Sequence, residues 1–106
     1  MSFEQRGGIA RNIRATTVGT SGQAIVMMGQ DQNRITTKWL RIANIGGNAL
    51  RVFWRESDFT DSVNYLTLVA TTGLLEGPIE LQDSTFWVKS AAGTTDVEVM
   101  GIHRRG

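Results

Sequence analysis

Two runs of alternating apolar and polar residues dominate the middle of the chain. The first is TTKWLRIAN and the second is ALRVFWRE, and both lie within Thr36–Glu56. The segment that separates them contains Gly46-Gly47-Asn48. Alternation with a period of two is typical of strands that bury one face, and glycine beside asparagine favours a turn. The pattern predicts a long β-hairpin whose three-residue loop is centred on Gly47, with a glycine at positive φ.

The pairing of this hairpin decides which side chains share a face, because opposite residues in an antiparallel pair point to the same side. The pairs predicted by a loop centred on Gly47 are Leu40 with Trp54, Ile42 with Val52, and Asn44 with Leu50. A shift of one residue would place Arg41 opposite Val52 and mix charge into both faces. We therefore expect one apolar face. The second face carries Trp39, Arg41, Ala43, Arg51, Phe53 and Arg55.

The remaining runs predict short strands separated by polar turns. The predicted strands are Gln23–Gly29, Asn64–Ala70, Leu74–Leu81, Thr85–Ser90 and Val97–Ile102, with a weak strand at Ile9–Ile13. The side chains expected to point inward are Ile79, Leu81, Val97 and Val99, and Phe86 and Val88 are expected to share one side of their strand. Pro78 cannot donate a ladder hydrogen bond, so it predicts a strand start or a sheet edge. The predicted loops are Ala15–Gly22 and Glu56–Ser62, and His103–Gly106 is predicted to be a polar tail.

No segment shows a sustained helical period, and the chain contains 12 glycines and 12 threonines. Threonine suits strands and glycine suits tight turns. We predict an all-β fold, an antiparallel β-sandwich of about eight strands. A jelly roll has this strand count and is our first choice of topology, and a small β-barrel is the alternative.

Length and composition limit the domain organisation and the class of protein. A chain of 106 residues holds one core, so we divide it into an arm over residues 1–14 and one sandwich domain over residues 15–106. The chain has no cysteine, so it has no disulfide or thiolate metal site. Neither a secretory signal nor an apolar run long enough to cross a membrane is present, which favours synthesis in the cytosol.

The predicted arm is basic. It contains Arg6, Arg11 and Arg14 against the single acidic residue Glu4, and Gly7-Gly8 forms a flexible break. Two interpretations remain open at this point. The arm is either a loosely held terminus or a segment that becomes ordered on an acidic neighbouring subunit.

The sequence offers little chemistry for catalysis. His103 is the only histidine, and it lies close to the end of the chain. A carboxylate pair would require Glu56, Glu76 and Glu80 to converge in space. Asp58 and Asp61 do not match the spacing of a calcium loop, which supplies six to eight oxygen ligands. We therefore predict no catalytic residue, no metal site and no cofactor.

Binding is the function that the residue pattern favours, through the second face of the hairpin. Tryptophan, phenylalanine and arginine are enriched at interfaces and supply much of their binding energy. The predicted partner-binding residues are Trp39, Arg41, Arg51, Phe53 and Arg55. In the competing interpretation both faces of the hairpin are covered within one molecule.

Two other binding functions are open on the residues alone. Single-stranded nucleic acid would stack on the aromatic rings, but the net charge of +1 argues against it. Sugars would stack on Trp39, Trp54 or Trp87.

A resemblance narrows these alternatives. The succession TKWLRIANIGGNALRVFW, LLEGPIEL and FWVKSAAGTTDVEVMGI resembles the small β-sandwich structural proteins of tailed bacteriophages. The likeness covers about Thr36–Ile102, and within that group the chain is most similar to capsid decoration, or cement, proteins.

The resemblance implies a non-enzymatic virion protein that binds the major capsid protein on the outer surface of the capsid. It also implies a homo-oligomer, with a trimer favoured, that assembles in the host bacterial cytoplasm and uses a terminal arm. Fibre, neck and tail subunits share the same style of sandwich, and they are the alternative virion locations. The resemblance transfers no individual binding residue.

Overall fold

The computed structural model describes residues 9–27, 35–81 and 84–105, and the side chains of residues 15–27, 37–81 and 84–102. This part of the chain forms eight strands and one short helix. The strands are β1 (Ile9–Val18), β2 (Gln23–Val26), β3 (Ile35–Asn44), β4 (Leu50–Phe53), β5 (Leu66–Leu68), β6 (Gly73–Leu81), β7 (Thr85–Ser90) and β8 (Thr95–Arg105), and the helix is α1 (Glu56–Asp61). Over the described ranges, no helix has the length and apolarity needed to span a membrane.

The strands form two four-stranded antiparallel sheets. Sheet A has the order β1-β8-β3-β6 and sheet B has the order β2-β7-β4-β5. The pairs are nested along the chain, because β1 pairs with β8, β2 with β7, β3 with β6, and β4 with β5. This order is that of a jelly roll. The predicted all-β sandwich of eight strands is therefore confirmed, and the sheets do not close into the alternative barrel.

The core lies between the two sheets and consists almost wholly of aliphatic side chains. Its buried members are Val18, Ile25, Met27, Leu40, Ile42, Leu50, Val52, Leu68, Leu81, Phe86, Val88, Val97 and Val99. Every strand contributes at least one of these residues, and β3, β4, β7 and β8 contribute alternate pairs, as the period of two requires. Trp54, Leu75 and Ile79 pack against the rim of this cluster. The inward positions predicted for Ile79, Leu81, Val97 and Val99 are confirmed, and Phe86 and Val88 share the buried side of β7.

The predicted hairpin is wrong, because its two strands lie in different sheets. β3 pairs with β6 and β8, whereas β4 pairs with β5 and β7. Leu40 thus lies opposite Gly77 and Gly101 rather than Trp54. The apolar face was predicted correctly, since both sheets of a sandwich bury the same kind of alternating face. The alternation determines the buried side of each strand but does not identify its neighbour.

Asn44 stabilises the segment in which the chain leaves sheet A. Its side chain is 1% exposed. Its Nδ2 donates to the carbonyls of Asn48 at 2.8 Å, Leu68 at 3.0 Å and Val69 at 3.0 Å. Its Oδ1 accepts from the Thr95 hydroxyl at 2.6 Å and the Gly46 amide at 3.3 Å. One buried amide therefore links the β3–β4 connection to β5 and to the start of β8.

Gly46 is required here for close approach rather than for a special φ. A Cβ at this position would overlap the Thr95 hydroxyl and the backbone of Asp96. Neither Gly46 nor Gly47 has a φ in the left-handed region, so the predicted positive-φ glycine is wrong. The Ile45 amide donates to the Asp96 carbonyl at 2.9 Å, which keeps the crossing segment against β8.

Both ends of the described chain are more regular than the sequence predicts. Residues 15–18 were predicted as loop, but they complete β1 opposite residues 95–98. Val18 is fully buried, and the threonines before it are good strand formers. The predicted polar tail is also wrong for His103–Arg105, which pair with β1 on one side and β3 on the other.

The predicted loop at Glu56–Ser62 contains the helix α1. Six residues are too few for a periodic signal, and helices this short depend on tertiary packing. Ser62 ends the helix in the left-handed conformation, at φ 55°, and its amide bonds to the carbonyls of Asp58 and Phe59. Pro78 lies in β6 at an edge of sheet A, as its missing donor predicts.

Replacing Asn44 with alanine should destabilise the fold by about 2–4 kcal/mol, because three carbonyls, one hydroxyl and one backbone amide lose their hydrogen-bond partner. Asn48→Ala is the matched control, since the Asn48 side chain makes an exposed bond to Thr94. The control should cost less than about 1 kcal/mol. Urea unfolding measures both, and equal losses would contradict the role given to Asn44.

Candidate partner-binding surface

The outer face of sheet A presents three rows of side chains that cross β8, β3 and β6. Alternation places these residues opposite to the buried Leu40, Ile42, Val97 and Val99. The rows are Ile102–Trp39–Pro78, Met100–Arg41–Glu76 and Glu98–Ala43–Leu74. We call these nine residues the sheet A face.

The sheet A face has an apolar row, Ile102–Trp39–Pro78, next to rows that carry charged side chains. Trp39, Met100 and Ile102 are partly exposed, and Leu74 is 49% exposed. The Arg41 Nε lies 3.5 Å from the Glu76 Oε2, and both side chains remain more than a third exposed. Such a surface pair adds little to stability, so both groups remain accessible to a partner.

Part of the outer face of sheet B is covered from within the same molecule. Phe53 points to this face and is 0% exposed. Its ring packs edge-on against Phe59 of α1, at 5.7 Å between centroids, and against Tyr65 at 5.3 Å. We call Phe53, Phe59 and Tyr65 the aromatic cap. Phe53 is therefore part of the internal packing of the monomer.

Two cationic side chains contact the rings of the aromatic cap. The Lys89 Nζ lies 4.8 Å from the Phe59 ring centroid and also donates to the Ser62 hydroxyl at 2.6 Å. The Arg51 guanidinium lies 4.8 Å from the Tyr65 centroid. Cations at these distances are attracted to the negative face of an aromatic ring. The cap therefore attaches α1 and the residues after it to sheet B.

The five predicted partner-binding residues do not form one face. Trp39 and Arg41 lie on sheet A, whereas Arg51 and Phe53 lie on sheet B. Arg55 is exposed at the N-cap of α1. The competing interpretation, coverage within the molecule, is correct for Phe53, and Arg51 contacts Tyr65. Trp39 and Arg41 remain on the open face of a sheet.

The predicted arm falls in two parts. Arg6 lies outside the described residues. Arg11 and Arg14 belong to β1, where their Cα partners in β8 are Ile102 and Val99. Residues 9–14 are therefore part of sheet A rather than a separate extension of the domain. The register also places Arg11 at the β1 end of the row that contains Trp39.

Sequence reasoning missed Met100 and Ile102 as members of the sheet A face. The signal was available, because inward Val97 and Val99 imply outward residues at 98, 100 and 102. The pairing of β3 with β8 was the missing step, since it joins residues that are about sixty positions apart. Alternation carries no information about that pairing.

The three glutamates considered for catalysis are not brought together. Glu76 and Glu80 lie on β6 of sheet A, and Glu56 begins α1 on the other sheet. The Lys38 Nζ lies 2.7 Å from Glu80, and its hydrogen bond and charge lower the pKa of that carboxyl. Asp58 accepts a hydrogen bond from Asn64. Over residues 9–27, 35–81 and 84–105, no group of three or more His, Cys, Asp and Glu residues is placed to hold a metal ion.

No family model and no curated protein matches this chain. Solved structures do match it in shape. The core of Drosophila NLP, studied for pentamer formation and histone binding, has a TM-score of 0.50 and 15% identity over 91% of this chain and 98% of its own.

Two longer proteins give similar scores. HppE in its Fe(II) form with substrate has a TM-score of 0.51 and 6% identity. The matched region covers 89% of this chain and 45% of HppE. An HTH_3 family transcriptional regulator from Vibrio cholerae has a TM-score of 0.50 and 9% identity. The matched region covers 100% of this chain and 48% of the regulator. The chain thus spans less than half of either protein. At these identities the likenesses show a shared fold and nothing about function.

Truncating Phe53 and truncating Trp39 should change the stability of the fold by different amounts. Phe53→Ala should cost about 3–5 kcal/mol of stability, because it empties a fully buried site. Trp39→Thr should cost about 1 kcal/mol, since the ring is partly exposed and threonine suits a strand. Thermal or urea unfolding compares the two variants. A small loss for Phe53→Ala would show that the aromatic cap does not seal that ring.

Proposed function

We propose that this protein is a non-enzymatic structural subunit of a virion, a capsid decoration or cement protein. It binds the major capsid protein on the outer surface of the capsid, after assembly in the host bacterial cytoplasm. Two features support the proposal. One is the resemblance over Thr36–Ile102, and the other is the eight-stranded sandwich that this stretch largely builds.

The observation that carries the proposal is the open sheet A face. Tryptophan, methionine and arginine are enriched in interface cores, and a partly exposed tryptophan on a regular sheet is a typical anchor. Trp39 lies between Ile102 and Pro78, with Arg41 in the next row. Because these residues lie on paired strands, the surface is formed before the partner arrives. Binding then costs little ordering entropy.

Attachment by a chain of 11.7 kDa offers little contact area, so self-association would strengthen it. Several copies bound together convert weak contacts into a lasting attachment. The trimer implied by the resemblance is one such arrangement. Residues 1–8, which include Arg6, would extend the footprint over acidic capsid surface.

The sheet A face favours a protein partner over single-stranded nucleic acid. The carboxylates of Glu76 and Glu98 lie in the rows next to Trp39, and they would repel phosphates. Phe53 has no exposed area on which a base could stack. A fibre, neck or tail subunit would use the same protein-binding surface, and it remains the alternative virion location.

The test compares two tryptophans on the outer faces of opposite sheets. Trp39 and Trp87 are both partly buried, and they lie on β3 and β7 respectively. Trp39→Thr should weaken co-sedimentation with empty heads of the tailed phage that encodes the chain by about tenfold or more. Trp87→Thr should leave it unchanged. Circular dichroism confirms that both variants are folded.

Three outcomes would contradict the proposal. They are equal binding by both variants, a loss confined to Trp87→Thr, and no binding of the unaltered protein to the heads. Binding to tails or fibres instead of heads would support the alternative location.

The contribution of the first residues is tested by deleting residues 1–8. A longer deletion to residue 14 would remove most of β1 from sheet A and would test folding instead. The shorter deletion should weaken attachment to heads, with a steeper loss at high salt because the contact is ionic. Unchanged attachment would remove this segment from the proposal.

A further inference from the structure

The two sheets have four edge strands, and they differ in how well they are protected from pairing with another strand. The edges are β1 and β6 in sheet A and β2 and β5 in sheet B. An edge strand carries a row of backbone donors and acceptors that no strand of its own sheet satisfies. Natural sheets protect such edges with short length, proline, charge or irregularity.

Three of these edges are protected by short length, proline or irregularity. β2 has four residues and β5 has three, so each offers very few ladder bonds. β6 has nine residues, but Pro78 lies within it and lacks an amide donor. Its register with β3 also shifts beside that proline. A further strand would find no continuous ladder at any of these edges.

β1 is not short, contains no proline and has no register shift. It has ten residues, IARNIRATTV, and it pairs with β8 in one unbroken register from Ile9 to Val18. Within the described part of the chain, no strand pairs with its other side. Its only protective feature is charge, from Arg11 and Arg14.

We propose that β1 pairs antiparallel with β1 of a second copy, which joins two A sheets into one eight-stranded sheet. The partner is a second copy because an extended strand of the same length and without proline is what this edge fits. A two-fold axis brings two such strands together, and the contact is closed and self-complementary. This inference goes beyond the proposed function and does not depend on it.

The two arginines select the register of this pair. Opposite residues of an antiparallel pair share a face, so the two-fold axis must pass through a residue. An axis through Arg11 or Arg14 would place that arginine opposite its own copy, and like charges directly opposite are destabilising. An axis through Ile13 places Arg11 opposite Ala15 and Arg14 opposite Asn12. That register avoids direct opposition of the charges and pairs residues 9–17 of the two copies. The charge on the edge therefore disfavours the registers centred on Arg11 and Arg14 while permitting the one centred on Ile13.

The dimer would also change the sheet A face. The two faces would lie side by side on one continuous sheet, so one assembly would present two copies of Trp39 to a partner. This two-fold arrangement differs from the trimer that the resemblance implies, and a mass measurement separates the two.

The first experiment measures the mass of the full chain by light scattering from micromolar to millimolar concentration. We expect a species of twice 11.7 kDa that forms reversibly as the concentration rises. A protein that stays monomeric throughout, as it would if its own first residues covered β1, overturns the proposal. A trimer without a dimer overturns it as well.

The second experiment locates the contact by disulfide formation, which is clean because the chain has no cysteine. Ile13→Cys places two thiols directly opposite each other, where Cα atoms are about 4.5–5.5 Å apart and within reach of a disulfide. Thr17→Cys is the matched control on the same strand, since its two copies would lie about 27 Å apart. Oxidation should link Ile13→Cys at least about tenfold more than Thr17→Cys.

Equal linkage of the two variants, or linkage of Thr17→Cys alone, overturns the proposed register and interface. Circular dichroism checks that each variant keeps its strands. The mass of the unaltered chain tests the dimer even if one cysteine variant does not fold.

Discussion

The crossing of the chain between the two sheets after Asn44 is the constraint on which the rest of this structure depends. At that point the carboxamide of Asn44 satisfies backbone groups from the crossing segment and from β5, and it accepts a bond from Thr95 at the start of β8. A buried amide with five partners is favourable only when all are present, because each unsatisfied group carries a desolvation cost. Gly46 lets the segment lie directly against Thr95. The crossing separates β3 from β4, so the apolar faces of the two strands meet across the core.

The crossing also determines which aromatic and cationic side chains are available for binding. On sheet B, Phe53 is sealed by Phe59 and Tyr65, and Lys89 lies over the ring of Phe59. On sheet A, no element among the described residues covers the face on which Trp39 lies. The same residue types therefore serve internal attachment on one side of the sandwich and an open surface on the other. Composition alone cannot separate these two uses, because aromatic and cationic groups attract each other in both settings.

The sequence predicted the parts of the fold that depend on local pattern. The strand type, the buried positions such as Leu81 and Val99, and the edge location of Pro78 all follow from alternation and from the missing proline donor. The pairing did not follow, because a nested jelly roll joins residues that are far apart in the chain. The six-residue helix α1 was missed since it is held by contacts of Phe59 rather than by helical periodicity. Trp39 and Arg41, two of the five residues predicted to bind a partner, lie on the sheet A face, and the strand pairing adds Met100 and Ile102 to that face.

The crossing is tested most directly by backbone contacts between strands in solution, measured by nuclear Overhauser effects. Arg41 should contact Met100 in sheet A, and Val52 should contact Val88 in sheet B. The backbones of Ile42 and Val52 should show no contact, because packed sheets lie about 10 Å apart. Backbone contacts between Ile42 and Val52 would restore the hairpin. They would return Trp39 and Phe53 to one face and contradict the division of roles between the two sheets.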